Sequence, residues 1–111
     1  MNITQKIVLI AVALLISGNV AAQQSPEYVD VRSWAEHQLD SIDGDLRIPM
    51  SDVVSGIQQK FPDKATPIRL YCAVGGRASK AAQQLRSVGY TDVTSVGGID
   101  DARAIRQLAE E

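Results

Sequence analysis

Residues 68–77 read Ile-Arg-Leu-Tyr-Cys-Ala-Val-Gly-Gly-Arg, and an alanine-rich helical pattern follows them. The apolar start of this stretch is typical of a buried strand, and its glycines mark a loop between that strand and the helix. In such a unit the backbone N–H groups of the loop converge on one point, and the helix dipole adds positive potential there. The stretch therefore predicts a site for an anion where a strand meets a helix.

Cys72, the only cysteine in the chain, opens this loop. A thiolate in that position should have a depressed pKa and act as a nucleophile at neutral pH. Because the chain has one cysteine, it cannot form an internal disulfide. The thiol is therefore buried and inert, paired with another chain, or reactive, and the loop favours the reactive alternative.

Strand and helix patterns alternate on both sides of this stretch. Ser33 and Glu36 form a capping box, which predicts a short helix ending at Leu39. The helix after the loop has an apolar stripe and a C-terminal cap at Gly89; the stripe consists of Ala78, Ala81, Ala82 and Leu85. The other predicted elements are strands at 28–31, 46–48, 68–71 and 93–96, a helix capped by Ser51 or Asp52 and ended by Pro62, a turn at Gly97-Gly98, and a helix at 99–108. This alternation predicts an α/β fold, a small parallel sheet with helices on both faces.

The first 22 residues have the pattern of a secretory signal peptide. Lys6 lies in a positively charged start, residues 7–16 are apolar, and a small-residue cleavage site ends at Ala22. A membrane anchor is the alternative, but the apolar run is shorter than the roughly 20 residues that cross a bilayer. We therefore expect a periplasmic protein without a stable membrane anchor after cleavage. Residues 23–27 are expected to form a polar tether and residues 28–111 one domain.

The composition argues against several classes of function. The chain has 11 Lys and Arg against 13 Asp and Glu, with no basic stripe or aromatic platform, so no nucleic-acid partner is expected. His37, the only histidine, has no cluster of ligands around it in sequence, so we expect a solvated residue, no metal and no cofactor. The carboxylates Asp40, Asp43 and Asp45 predict a solvated loop, and Trp34 is expected to be a partly buried anchor of its helix.

Taken together, these segments resemble a single-domain rhodanese (thiosulfate sulfurtransferase) of the small periplasmic type. The matching segments follow the family's order and spacing; they are 28–32 (Tyr-Val-Asp-Val-Arg), 44–49, Tyr71-Cys72, 75–79, Leu85, 89–93 and Gly97-Gly98. The resemblance covers roughly residues 26–108. It implies a rhodanese-like three-layer fold, with residues 28–111 as the rhodanese domain.

The resemblance also implies a sulfur-transfer mechanism. In rhodaneses the active cysteine and the five residues after it form a cradle, which here comprises Cys72, Ala73, Val74, Gly75, Gly76 and Arg77. The thiolate would take sulfur from thiosulfate or another sulfane-sulfur donor, form a persulfide, and pass the sulfur to cyanide, a thiol or a protein thiol. The loop N–H groups would stabilise the anionic sulfur, and Arg77 would bind the sulfonate oxygens of the donor. Asp30 and Arg32 would support the loop structurally.

Cradle length separates this activity from related ones. In the rhodanese superfamily, loops one residue longer go with phosphatases or arsenate reductases, whereas a six-residue loop matches sulfur transfer. Two other interpretations stay open: a rhodanese-like sulfur-carrier or protein-binding module with little turnover, and a thiol redox protein of the envelope. The chain has no Cys-x-x-Cys pair, so a disulfide in such a redox protein would be intermolecular.

Overall fold

The computed structural model describes residues 24–108, which form a parallel sheet covered by helices. The strands are β1 (Glu27–Asp30), β2 (Leu46–Arg47), β3 (Ile68–Cys72) and β4 (Val93–Gly98). The helices are α1 (Trp34–Leu39), α2 (Val53–Lys60), α3 (Gly76–Ser87) and α4 (Ile99–Arg106), and a 3-10 turn at Met50–Asp52 leads into α2. The predicted signal peptide, residues 1–22, lies outside the described residues. Within residues 24–108, no helix has the length and apolar character that a membrane crossing requires.

The sheet has the strand order β2-β1-β3-β4, and every neighbouring pair is parallel. β2 lies next to β1 at one edge of the sheet, and β4 lies next to β3 at the opposite edge. The carboxyl ends of β1 and β3 therefore flank a switch point, where open α/β sheets place their ligand sites. Asp30 ends β1 and Cys72 ends β3, with Gly98 of β4 paired to Cys72. The predicted parallel α/β fold is confirmed, and β1 begins at Glu27, the last residue of the predicted tether.

Helices cover both faces of the sheet, because alternate residues of the strands point to opposite faces. Along β3, Ile68 and Leu70 pack against α2 and α3, whereas Tyr71 packs against α4. The predicted apolar stripe of α3 is fully buried in the first of these two cores. α3 ends as predicted, since the N–H groups of Gly89 and Tyr90 donate to carbonyls of its last turn.

α1 is a short helix that is held by polar contacts rather than by packing. Its capping box is confirmed: the Glu36 N–H donates to the Ser33 hydroxyl oxygen, and the Ser33 N–H donates to the Glu36 carboxylate. No residue of α1 is buried. The expectation for Trp34 was wrong, because its side chain is 65% exposed at the first helical position.

The structure corrects two local predictions. Gly97 and Gly98 belong to β4 and not to a turn, because a bulge shifts the pairing with β3 and extends β4 by these residues. Asp52 occupies the N-cap position of α2, but its side chain makes no capping hydrogen bond. The 3-10 turn before α2 already gives the N–H groups of Asp52 and Val53 carbonyl partners.

The segment 40–45 is not the solvated loop that we predicted from its carboxylates. Asp40 pairs with Arg103 and Asp45 pairs with Arg106, both on α4. Ile42, between them, is buried in the core beneath α4. The two arginines of α4 thus draw this acidic segment onto the helix, which the local sequence does not indicate.

Candidate active site

Cys72 lies at the carboxyl end of β3, and its side chain is 1% exposed. The chain turns directly into α3 through Gly75, whose φ of +114° places it in the left-handed region that favours glycine. This conformation lets the chain turn into the helix, and the Gly75 nitrogen, whose N–H donates to the cysteine, lies 2.9 Å from the sulfur. The sulfur therefore sits inside the loop at the N-terminus of α3, as the sequence predicts.

Two opposing effects act on the pKa of the Cys72 thiol. Burial raises the pKa, because a charged sulfur loses its hydration. Hydrogen bonds from backbone N–H groups lower the pKa, and together they outweigh burial; the donors are Ala78, Gly75, Val74 and Arg77. The pKa of Cys72 is therefore lowered from its ordinary value, which favours the thiolate. The predicted cradle did not include Ala78. The signal for this donor is its place in the first turn of a helix, where N–H groups have no partner within the helix.

Gly98, at the end of β4, packs against the backbone of the cysteine loop. A side-chain carbon at this position would overlap the Ala73 carbonyl oxygen and lie 3.3 Å from the Val74 Cα. The Gly98 N–H donates to the Asp101 carboxylate at 2.8 Å, which holds the end of β4 in place. Only glycine permits so close an approach of strand and loop. Gly98 is thus part of the loop's support.

Asp30 and Arg32 form a buried ion pair beside the loop. The Arg32 Nε and one terminal nitrogen donate to the Asp30 carboxylate, with nitrogen–oxygen distances of 2.9–3.2 Å. Burial raises the pKa of Asp30, but hydrogen bonds from Arg32 and His37 outweigh it and hold the pKa below its usual value. Arg32 also donates to the Asp40 carbonyl. The pair therefore joins β1 to the segment that follows α1.

His37 is not the solvated residue that we expected. Its Nδ1 lies 3.0 Å from Asp30 Oδ2, and its side chain is only 23% exposed. α1 folds back over the end of β1, which brings the two side chains together across seven positions of sequence. His37 thus fixes α1 to the buried Asp30–Arg32 pair.

Arg77 at the end of the cradle is bound by Glu36 of α1. Its two terminal nitrogens donate to the two carboxylate oxygens of Glu36 at 2.6 and 2.8 Å. This bidentate pair, together with bonds from Ser33, lowers the pKa of Glu36 to about 2. The sequence indicated Glu36 only as a capping residue, since its second partner lies far along the chain. Arg77 therefore carries a counterion before any substrate arrives.

The structure brings the predicted residues together at one end of the sheet. The cradle residues surround the Cys72 sulfur, with Ala73, Val74 and Gly76 exposed and Arg77 half-buried. Asp30 and Arg32 lie at the neighbouring strand end. Within residues 24–108, no group of three or more His, Cys, Asp or Glu side chains is arranged to hold a metal ion. The arrangement can stabilise an anionic sulfur and bind a small anion at the loop mouth.

Comparison with known proteins gives a consistent result. The chain matches the rhodanese-like domain family over residues 14–104. It is 33% identical to thiosulfate sulfurtransferase PspE of Escherichia coli K12 over 93 residues, which cover 84% of this chain and 88% of PspE.

Solved structures show the same fold. A rhodanese with anions from E. coli superposes with a TM-score of 0.66 at 31% identity, covering 69% of this chain and 91% of that one. The human single-domain sulfurtransferase TSTD1 superposes with a TM-score of 0.59 at 27% identity, covering 83% and 88%. With its parallel sheet, its cysteine loop and these matches, the chain belongs to the rhodanese-like domain family.

Proposed function

We propose that this protein is an exported sulfurtransferase that moves sulfane sulfur from thiosulfate to cyanide or a thiol through a persulfide on Cys72. The observation that carries the proposal is the 2.9 Å distance between the Gly75 nitrogen and the Cys72 sulfur, in a loop with further N–H groups bonded to that sulfur. Such a loop favours the thiolate over the thiol. It equally favours an anionic persulfide, so one loop serves both states of a transfer cycle. The six-residue length of the cradle supports sulfur rather than phosphate as the transferred group.

In the first half-reaction the Cys72 thiolate attacks the outer sulfur of thiosulfate. A new S–S bond forms to Cys72 while the S–S bond of thiosulfate breaks, and sulfite leaves with the bonding electron pair. No proton moves in this step, because the sulfur is already ionised, so no general base is needed. The cradle N–H groups would hold the sulfonate oxygens during attack, and Arg77 would do so once its guanidinium exchanges Glu36 for the donor.

In the second half-reaction an acceptor removes the outer sulfur. The carbon of cyanide attacks this sulfur, thiocyanate forms, and the electron pair of the broken S–S bond returns to Cys72 as thiolate. A thiol acceptor reacts as its thiolate and leaves as a persulfide. Because sulfite departs before the acceptor reacts, the kinetics should be ping-pong. Ala73 and Val74 are exposed beside the buried sulfur, which supports a thiol on another protein as a further acceptor class.

The test of transfer is a sulfur-transfer measurement on protein taken from a periplasmic extract. The test of export is the N-terminal sequence of that protein, which should begin at Gln23 if the signal peptide is cleaved after Ala22. Thiosulfate should add one sulfur, about 32 Da, to the intact mass, and cyanide should remove it as thiocyanate. Cys72→Ser should abolish both changes because the nucleophile is lost.

Thiocyanate formation at the wild-type rate by the serine variant would rule the mechanism out. A mass increase without turnover would instead favour the sulfur-carrier module. A disulfide-linked dimer without a mass increase would favour the thiol redox protein.

A further inference from the structure

We propose that Glu36 determines which sulfur donors the site accepts, by occupying the Arg77 guanidinium and thereby selecting against doubly charged anions. The inference rests on the proposed sulfur transfer and refines its substrate class. It assigns Glu36 as a specificity-determining residue and favours donors that carry one negative charge or none. Organic thiosulfonates and low-molecular-weight persulfides belong to this class of donor.

The geometry places the Glu36 carboxylate at the rim of the cradle. The two terminal nitrogens of Arg77 each bond a different oxygen of Glu36, at 2.6 and 2.8 Å. The two side chains are 41% and 33% exposed, so the pair lies at the surface and not in the core, and Arg77 is close enough to Cys72 for their charges to interact. The fork of the guanidinium that would bind a sulfonate bidentately is therefore already engaged.

Glu36 is held in this position from its other side as well. The Ser33 N–H and hydroxyl group both bond Glu36 Oε1, at 3.2 and 3.0 Å. His37, the next residue, bonds the buried Asp30, which fixes the orientation of α1. The carboxylate is therefore anchored between the helix cap and Arg77, and an incoming anion must compete with it.

The consequence depends on the charge of the donor. Arg77 and Glu36 together carry no net charge, so the rim offers a donor no net attraction. Compared with a free Arg77, the Glu36 carboxylate removes about 1 kcal/mol of attraction for each unit of donor charge at a few ångströms in a water-like medium, somewhat less when screened by salt. A dianion such as thiosulfate thus loses about twice the attraction that a monoanion loses.

Kinetics with a matched donor pair test this proposal. Thiosulfate carries two charges, and methanethiosulfonate carries one and leaves as methanesulfinate. Glu36→Gln should raise kcat/KM about tenfold for thiosulfate and about threefold for methanethiosulfonate, which corresponds to the loss of one repulsive charge. The glutamine keeps the capping box, because Gln serves at the third helical position as Glu does.

Arg77→Ala completes a double-mutant cycle. In the wild type Arg77 is engaged by Glu36, so its loss should lower kcat/KM for thiosulfate only about threefold. In the Glu36→Gln background the guanidinium is free, and its loss should cost about tenfold or more. Purely structural roles for both residues would give equal changes for the two donors and would overturn the proposal.

The charge control is Glu27→Gln, which removes the same charge at the opposite, amino end of β1. It should leave the ratio of the two kcat/KM values unchanged. An equal change in ratio from Glu27→Gln and Glu36→Gln would show a general charge effect and contradict the proposal.

A binding measurement separates this inference from the proposed function. Backbone amide signals of Gly75 and Arg77 are followed by NMR during titration with sulfate or methanesulfonate, which do not transfer sulfur. Glu36→Gln should tighten sulfate binding about threefold more than methanesulfonate binding. This result without sulfur transfer in the wild type would refute the proposed function and leave the role of Glu36 supported. An unchanged ratio of the two dissociation constants would overturn the role of Glu36.

Discussion

The Cys72 thiol is buried and yet favours its ionised form, although burial opposes ionisation in most proteins. A buried thiol ordinarily stays protonated because charge is costly away from water. Here the N–H groups of the loop and of the first turn of α3 are directed at the sulfur and reverse the shift. The charge is therefore stabilised mainly by backbone N–H groups, and the nearby Arg77 cation also interacts with it.

The pH dependence of Cys72 follows from this arrangement. The lowered pKa means that the thiolate forms at a lower pH than the value of about 8.5 usual for cysteine. Sulfur uptake should therefore rise with pH and reach half of its maximum at a lower pH than it would with an ordinary cysteine. The thiolate absorbance near 240 nm, measured as the difference between wild type and Cys72→Ser, gives the midpoint. A midpoint above 8.5 would contradict the stabilisation of the thiolate.

At the scale of elements, the end of β4 sets the position of the loop. Gly98 packs directly against the Ala73 carbonyl, and the bulge in β4 brings the glycine pair to this point. The Ala73 carbonyl and the Val74 N–H belong to one peptide unit, so a displaced carbonyl also tilts an N–H group that bonds the sulfur. β4 therefore acts on the thiol through the backbone of the loop.

Gly98→Ala should raise the pKa of Cys72 by about one pH unit, because one N–H bond to the thiolate is weakened. The 240 nm titration measures this change, and circular dichroism checks that the fold persists. Gly56→Ala in α2 is the matched control, since its added carbon would lie 2.7 Å from the Ile48 side chain, in the core between sheet and helix. The control should lower stability and leave the thiol pKa unaltered. An unaltered pKa in Gly98→Ala would contradict the supporting role of β4.

At the scale of the whole molecule, ion pairs join the elements around the site. Arg103 and Arg106 of α4 bind the segment 40–45, and Arg32 links the carbonyl of Asp40 to the buried Asp30. α4, the segment after α1, and β1 are thus connected through charged groups. The Asp30–Arg32 pair lies at the carboxyl end of β1, beside the cradle, whereas Arg106 and Asp45 lie near Tyr28, toward the amino end of that strand.

These carboxylates make stability depend on pH. The pKa values of Asp30, Asp40 and Glu36 are all lowered in the folded protein. Their stabilisation is full above the unfolded values of about 4 and is lost as pH falls through the folded values. The free energy of unfolding, measured with urea, should therefore decline below about pH 5.

Asp30→Asn tests the buried part of this network. It leaves the Arg32 cation buried without its counterion, which should cost about 3–5 kcal/mol of unfolding free energy at pH 7. Asp92→Asn is the matched control, because Asp92 pairs with Arg69 at the surface and its loss should cost less than about 1 kcal/mol. Equal losses in the two variants would show that burial of the Asp30 pair contributes nothing.

Local patterns were sufficient to predict most of the fold. The capping box of α1, the apolar stripe of α3 and its ending at Gly89 were all predictable, because each depends on residues within a few positions. The environments of His37 and of the segment 40–45 were not predictable. Their partners, Asp30 and the arginines of α4, are brought close only by the packing of helices on the sheet.

The sequence by itself determined the order of strands and helices, the rhodanese resemblance, and a nucleophile placed between β3 and α3. It did so because hydrophobic period, glycine placement and helix-start signals act locally. Only the tertiary structure decided that Glu36 occupies Arg77 and that Gly98 supports Ala73. Both contacts join segments distant in sequence, which meet because a parallel sheet gathers its carboxyl ends at one edge.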